Sequence, residues 1–265
     1  MKKIIALSAL MTVSGVMAQS TTSTDLDVSK KSLKERISAS WFIEAQDKVA
    51  GNDEGATQDV EVYNSVSLKF QVTNTLKAYF NPRFTIQDSG DDRFNDHDLR
   101  LGLTGNVIGN DLGISTTLEY IVPTTANTLN DDDFDGQVRL SNDKTFKIDD
   151  ANSLIALIQL RRTFVKNTDG PHSELSILPW LSYTNTKLSE KAAIRVDYEG
   201  NIVHNAGKSL NNMTEAGDQD NRILVGADIA SIPGLNSVYA YATHYPMRTK
   251  ALDQTGLGVQ IYKAF

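Results

Sequence analysis

From Leu76 to Ile86 every second residue is apolar. Leu76, Ala78, Phe80, Pro82, Phe84 and Ile86 alternate with Lys77, Tyr79, Asn81, Arg83, Thr85 and Gln87. Six repeats of period two would scatter around a helix of 3.6 residues per turn, so this segment is a strand with one apolar face. Pro82 has no N–H for the ladder, and a bulge or other irregularity is expected there. The same period recurs in Ile37, Ala39, Trp41 and Ile43, in Val66, Leu68, Phe70 and Val72, and in Leu99, Leu101 and Leu103. It returns in Ala192, Ile194, Val196 and Tyr198, and in Leu257, Val259, Ile261 and Phe265. About twelve strands fit, near 36–46, 65–72, 76–87, 97–106, 112–122, 136–148, 153–165, 173–184, 187–199, 221–231, 235–245 and 255–265. In the sixth, Asn142 and Lys144 share a face with Val138, Leu140, Phe146 and Ile148. That predicts either a bulge or displaced boundaries. In the eleventh, Tyr239/Tyr241 and Ala240/Ala242 could each form the apolar face.

The connections between these strands alternate in length. Those at 47–62, 88–96, 123–135, 166–172, 200–220 and 246–254 are long and polar, while those at 74–75, 107–111, 149–152, 185–186 and 232–234 are short. Greek-key crossings give no such rhythm. An antiparallel up-and-down barrel with short turns at one end and long loops at the other does. The strands are also long for a soluble sheet and suit a tilted bilayer crossing. The slightly negative mean hydropathy is compatible with this, because an alternating strand averages its two faces.

The two ends of the chain carry the rest of the case. Lys2 and Lys3 precede a largely apolar run from Ile4 to Val16, and Val16-Met17-Ala18 suits a cleavage site. Residues 1–18 read as a secretory signal peptide, with a mature start near Gln19. Residues 19–35 read as a flexible periplasmic segment, and 36–265 as the barrel. The chain has no cysteine, so neither a disulfide framework nor a lipidated cysteine is available. With its terminal strand closing on Phe265, the chain resembles the bacterial outer-membrane β-barrel (porin-like) superfamily. That superfamily usually has an aromatic or apolar residue two positions before the end, where this chain has Lys263. The resemblance implies an all-β transmembrane barrel of about 12 strands in the bacterial outer membrane, with short periplasmic turns and long extracellular loops. It also implies contact with outer-membrane lipids and recognition by the outer-membrane assembly machinery through the C-terminal strand. Aromatics near strand ends (Trp41, Phe84, Tyr120, Trp180, Tyr183, Tyr198, Tyr245 and Phe265) suit interfacial girdles.

Charge divides along the same lines. The net charge of −7 disfavours a nucleic-acid partner. Acidic residues crowd the long connections, whereas inward strand positions carry Lys69, Lys77, Arg83, Arg100, Arg139, Arg161, Arg195 and Arg222 against Glu119, Glu174, Asp197, Glu199 and Asp228. The six arginines are expected in the external half of the lumen. Pore-lining candidates are therefore Lys69, Arg83, Arg100, Glu119, Arg139, Arg161, Glu174, Arg195 and Arg222. Such a zone would favour anions in a conducting pore. The same arginines could instead pair with Glu119, Glu174 and Asp197 and brace a closed barrel, since twelve strands fall between self-filled and open barrels.

Other motifs carry less. Asp131-Asp132-Asp133-Phe134-Asp135-Gly136 matches the opening of a calcium loop through Asp131, Asp133 and Asp135, but Asn142 stands where the bidentate Glu belongs. A calcium ion there is the one cofactor the sequence suggests. Gly207-Lys208-Ser209 lacks the spacing and the following helix of a phosphate loop. His97, beside Asp96 at the external rim, would be the residue of a rim hydrolase, although no Ser or carboxylate motif of such enzymes accompanies it. The expected function is a non-enzymatic porin-like channel for passive diffusion of small, anionic solutes. The alternatives are a non-conducting surface barrel whose acidic loops bind ions, lipids or cells, and a rim hydrolase.

Overall fold

The computed structural model describes residues 28–48, 60–87, 94–106, 112–125, 134–166, 173–189, 192–205, 214–215, 221–229, 232–246 and 255–265. The signal segment 1–18 lies outside them. A 3-10 turn at Val28–Lys30 and one helical turn at Leu33–Arg36 lead into the first strand. The strands are β1 (Ile37–Lys48), β2 (Glu61–Gln71), β3 (Leu76–Gln87), β4 (Phe94–Gly105), β5 (Ile114–Val122), β6 (Gly136–Lys147) and β7 (Asn152–Phe164). They continue as β8 (Ser173–Ser189), β9 (Ala192–Glu199), β10 (Ile202–Asn205), β11 (Thr214–Glu215), β12 (Arg222–Ile229), β13 (Ser237–His244) and β14 (Thr255–Ala264).

All lie in one antiparallel sheet. Neighbours in sequence pair around it, β14 pairs with β1, and β8–β9 pairing completes the ring of twelve. Closure leaves no edge between β14 and β1: Ser40 faces Ala264, Lys48 faces Gly256, and the Phe265 amide donates to the Ala39 carbonyl at 2.9 Å. The outward face is apolar over most of its height, with Leu68, Ile86, Ile158, Val225 and Leu257 all exposed. Apolar residues outside and polar ones inside are the reverse of a soluble barrel and the signature of one solvated by lipid.

Several expectations are refined. Pro82 does mark an irregularity: Asn81 faces Arg100 but Arg83 faces His97, so β4 spends two residues, Asp98 and Leu99, where β3 spends one. Asp98 holds the surplus by accepting from the Thr124 and Thr125 amides at 2.8 and 3.1 Å. The sixth strand contains no bulge. Its register against β5 and β7 is unbroken, so Asn142 and Lys144 do point outward. Asn142 is satisfied there by the Thr116 hydroxyl, which donates to it at 3.0 Å. Lys144 lies near the short-turn end of β6, where its stem can lie on apolar surface and its ammonium reach polar headgroups. In β13 the tyrosines point inward and Ala240 and Ala242 outward, because Tyr239 and Tyr241 face Gln260 and Gly258 of β14.

The tight turn expected at 185–186 is absent. β8 runs on to Ser189, with an irregularity after Asn185, and the Thr186 amide donates to the Ala151 carbonyl at 2.9 Å. β9 and β10 are one strand against β8, since Trp180 faces Glu199 and Ile177 faces Ile202 in a single register. What changes is the partner on the other side, β12 against β9 and the short β11 against β10. The connection at 200–220 thus holds extra ladder rather than loop alone. Of the segment 19–35, the described part is seated on the β2–β3 turn: Val28 is buried and its amide donates to Asn74 at 2.9 Å.

Candidate functional site: the barrel lumen

Strand parity decides which side chains meet in the lumen. On the β2–β5 side they pack closely. Asn81, with no exposure, donates to Ser65 and Ser67 at 2.8 and 2.9 Å, tying β3 to β2. Beside it Glu119 is also fully buried, and two guanidiniums and a hydroxyl converge on it. Arg139 approaches at 3.2 Å, Arg100 at 3.8 Å, and the Tyr79 hydroxyl donates at 3.1 Å. A buried carboxylate is tolerable only when its charge is compensated in this way.

The opposite side is open. A cavity of about 740 Å³ runs along β6–β9 and β12–β14 to β1. Arg100, Arg139, Arg161, Arg195 and Arg222 border it, with Glu44, Glu199 and Asp228 among the carboxylates and Phe42, Trp180, Tyr239 and Tyr262 among the aromatics. Arg195 grips Asp197 through two nitrogens at 2.7 and 3.0 Å, and its guanidinium lies 4.4 Å from the centre of the Tyr239 ring. Tyr239 stacks in turn on Tyr241, at 5.2 Å between centroids. Arg222 donates to Glu199 at 2.7 Å and lies 3.9 Å from Glu44, which also accepts from the Tyr241 hydroxyl at 2.6 Å. Charge-assisted bonds of this kind hold the guanidiniums in fixed directions.

The nine pore-lining candidates divide into groups. Arg100, Arg139, Arg161, Arg195 and Arg222 border the cavity, with Glu119 behind the first two. Lys69 stands opposite Tyr79, and Arg83 opposite His97, on the packed side. Glu174 is at the rim, where Arg162 reaches it at 2.9 Å. The arginines are not all near the long-connection end. Arg139 and Arg161 are three residues from it and Arg222 begins β12, but Arg100 is mid-strand and Arg195 lies three residues from the short-turn end of β9. Trp180 faces the cavity rather than the outer surface, since it shares a face with Ser182 and Leu178. Sequence reasoning missed Glu44 and Phe42. The alternation that places Trp41 and Ile43 outward would have placed both inward.

Of the calcium-loop candidates, Asp131 and Asp133 lie outside the described residues. Asp135 leads into β6, its amide donating to Phe164 at 2.8 Å. His97 hydrogen-bonds Thr85 at 2.6 Å and packs 5.7 Å from the Tyr63 ring, so neither partner is a carboxylate that would orient it as a general base.

No protein-family model and no curated protein sequence matches the chain. Among solved structures, it is similar to the COG4313 outer membrane channel from Pseudomonas putida F1, with a TM-score of 0.53 at 13% identity, over 86% of this chain and 95% of that one. The likeness is one of fold, a closed antiparallel barrel. Weaker likenesses extend to Salmonella typhi OmpF in complex with daunomycin (TM-score 0.42, 10% identity, 86% of this chain and 97% of that one). A mutant of the Rh. blastica porin is similar at a TM-score of 0.38 and 10% identity, over 86% of this chain and 100% of that one. At 13% identity the likeness to the Pseudomonas channel carries no substrate.

Proposed function

We propose that the protein is a porin-like channel of the bacterial outer membrane that lets small solutes diffuse passively, with anions favoured. The observation that carries this reading is the arginine-bordered cavity inside a closed barrel. Anion preference follows from how the charges are layered. The five arginines are matched by Glu44, Glu119, Asp197, Glu199 and Asp228, but Glu119 and Asp197 are only 0% and 1% exposed. Of the five carboxylates only Glu44, Glu199 and Asp228 border the cavity, so a solute there meets five guanidiniums against three carboxylates, and fixed cations at a narrow point select by charge. No reaction is assigned to the barrel.

The competing reading is a non-conducting barrel, favoured by the ion pairing of Arg139, Arg195 and Arg222 across strands. Planar-bilayer recording of the purified protein separates the two. The expected result is discrete conductance with a reversal potential favouring anions across a salt gradient, shifting toward cations in Arg100→Gln and Arg195→Gln. Silent bilayers, with insertion confirmed by protease protection, would overturn the channel.

A further inference from the structure

Among the described residues, the outward cation–aromatic contacts all lie at the short-turn end. Arg36 lies 4.4 Å from the centre of the Phe70 ring, Lys144 5.2 Å from that of Phe146, and Lys263 5.7 Å from that of Phe265. The remaining described contacts of this kind belong to Arg195 in the lumen. Phe70 and Phe146 each stand one residue before the end of their strand and Phe265 directly follows β14, and all three share a face with exposed apolar residues. Among the described residues, no carboxylate comes within ion-pair distance of Arg36, Lys144 or Lys263, whereas the outward Arg162 at the other end is paired with Glu174.

Two of these pairs flank one strand. Ile37 of β1 faces Phe70 of β2, whereas Lys263 of β14 faces Trp41, so the two pairs lie on opposite sides of β1 and are offset by four residues along it. Two strand spacings are about 10 Å and four residues about 13 Å, so their backbones are about 16 Å apart, a gap that two long cationic side chains narrow from both sides. The Arg36 guanidinium is held by its Nε donating to the Gln71 carbonyl at 3.0 Å, which fixes it beside the last residue of β2.

We infer that this short-turn rim, and the β14–β1–β2 seam above all, is a binding site for the phosphate headgroup of an anionic glycerophospholipid in the periplasmic leaflet. The inference rests on the membrane reading above. The cations supply the phosphate contact, and the phenyl rings beside them cover the start of the acyl chains. An aromatic ring at the interface and a cation over its face satisfy both halves of an amphiphile. The acidic long connections at the other end would repel the same lipid, so the site also orients the barrel's charge with respect to the two leaflets.

The test uses the full mature chain in equimolar phosphatidylcholine–phosphatidylglycerol vesicles, with native mass spectrometry of the lipid that stays bound after extraction. Retained phosphatidylglycerol should exceed phosphatidylcholine by about fivefold per engaged cation at low salt. Arg36→Gln with Lys263→Gln should remove most of the excess, and Arg162→Gln at the opposite rim should leave it unchanged. Lys144→Gln, remote from the seam, should give a partial loss and serves if the double variant does not fold. An unbiased ratio in the wild type overturns the inference while leaving conductance intact. An equal loss in Arg162→Gln overturns it too, because bulk charge would then explain the bias. Failure to insert in either lipid sinks the membrane reading itself.

Discussion

Glu119 holds its charge with no access to solvent, in contact with Arg100, Arg139 and Tyr79. Replacing it with Gln keeps the shape and removes the charge, leaving two buried guanidiniums facing each other. Breaking a buried pair in this way costs about 3–5 kcal/mol. The Glu119→Gln barrel should therefore unfold at markedly lower urea than the wild type, and an unchanged midpoint would show that the cluster is solvated. If it folds, its anion preference should rise. Single residues were legible in the sequence where their face was chemically uniform. Arg139 had to point inward because Gln137 and Ser141, two away, are polar while Val138 and Leu140 beside it are apolar. Trp180 was not legible, since an aromatic is welcome both at a lipid interface and against an arginine, and only its position opposite Glu199 decides.

At the scale of elements, two joints hold the strands in register. Gly258 of β14 lies under the ring of Tyr241, so a Cβ there would run into it. The ring is in turn fixed by its hydroxyl on Glu44. Gly258→Ala should cost about 1–3 kcal/mol by overpacking, read as an earlier thermal transition. Tyr241→Ala combined with it should recover part of that loss relative to Tyr241→Ala alone. In the β6–β7 turn the exposed Asp149 accepts from the amides of Ala151 at 2.7 Å and Asn152 at 2.9 Å. The Ala151 amide first, then the Asn152 side chain, hold its carboxyl below the usual carboxylate range. A folded-state value below the unfolded one stabilises the turn above the unfolded value, and the gain is lost as pH falls through the folded one. The stability gap between wild type and Asp149→Ala should thus narrow below about pH 4. A gap constant with pH would rule out the charge as its source. Strand order was legible from local rhythm. The run-on of β8 and the β9–β10 partner exchange were not, because they depend on which distant strand lies alongside.

For the whole molecule, the proposed anion preference ties selectivity to salt. Screening lengths fall from about 10 Å at 0.1 M to about 3 Å at 1 M. Anion preference should therefore fade between those salt concentrations, whereas selectivity due to pore width would persist. A permeability ratio flat across the range would remove the arginines from the argument. Closure of the barrel was legible from the two ends, but the lopsided filling of its interior was not. It depends on which of several inward polar residues find each other across strands. The irregularity opposite Pro82 bears on this interior as well. In an unbroken register Arg83 would face Asp98 and Thr85 would face Asp96. The extra residue in β4 shifts the phase, so that His97 and Asn95 occupy those inward places instead. One surplus residue therefore acts as a frame shift in side-chain facing, turning Asp96 out of the mouth on that side. Removing it would reverse the sign of that part of the entrance without changing a single charged residue.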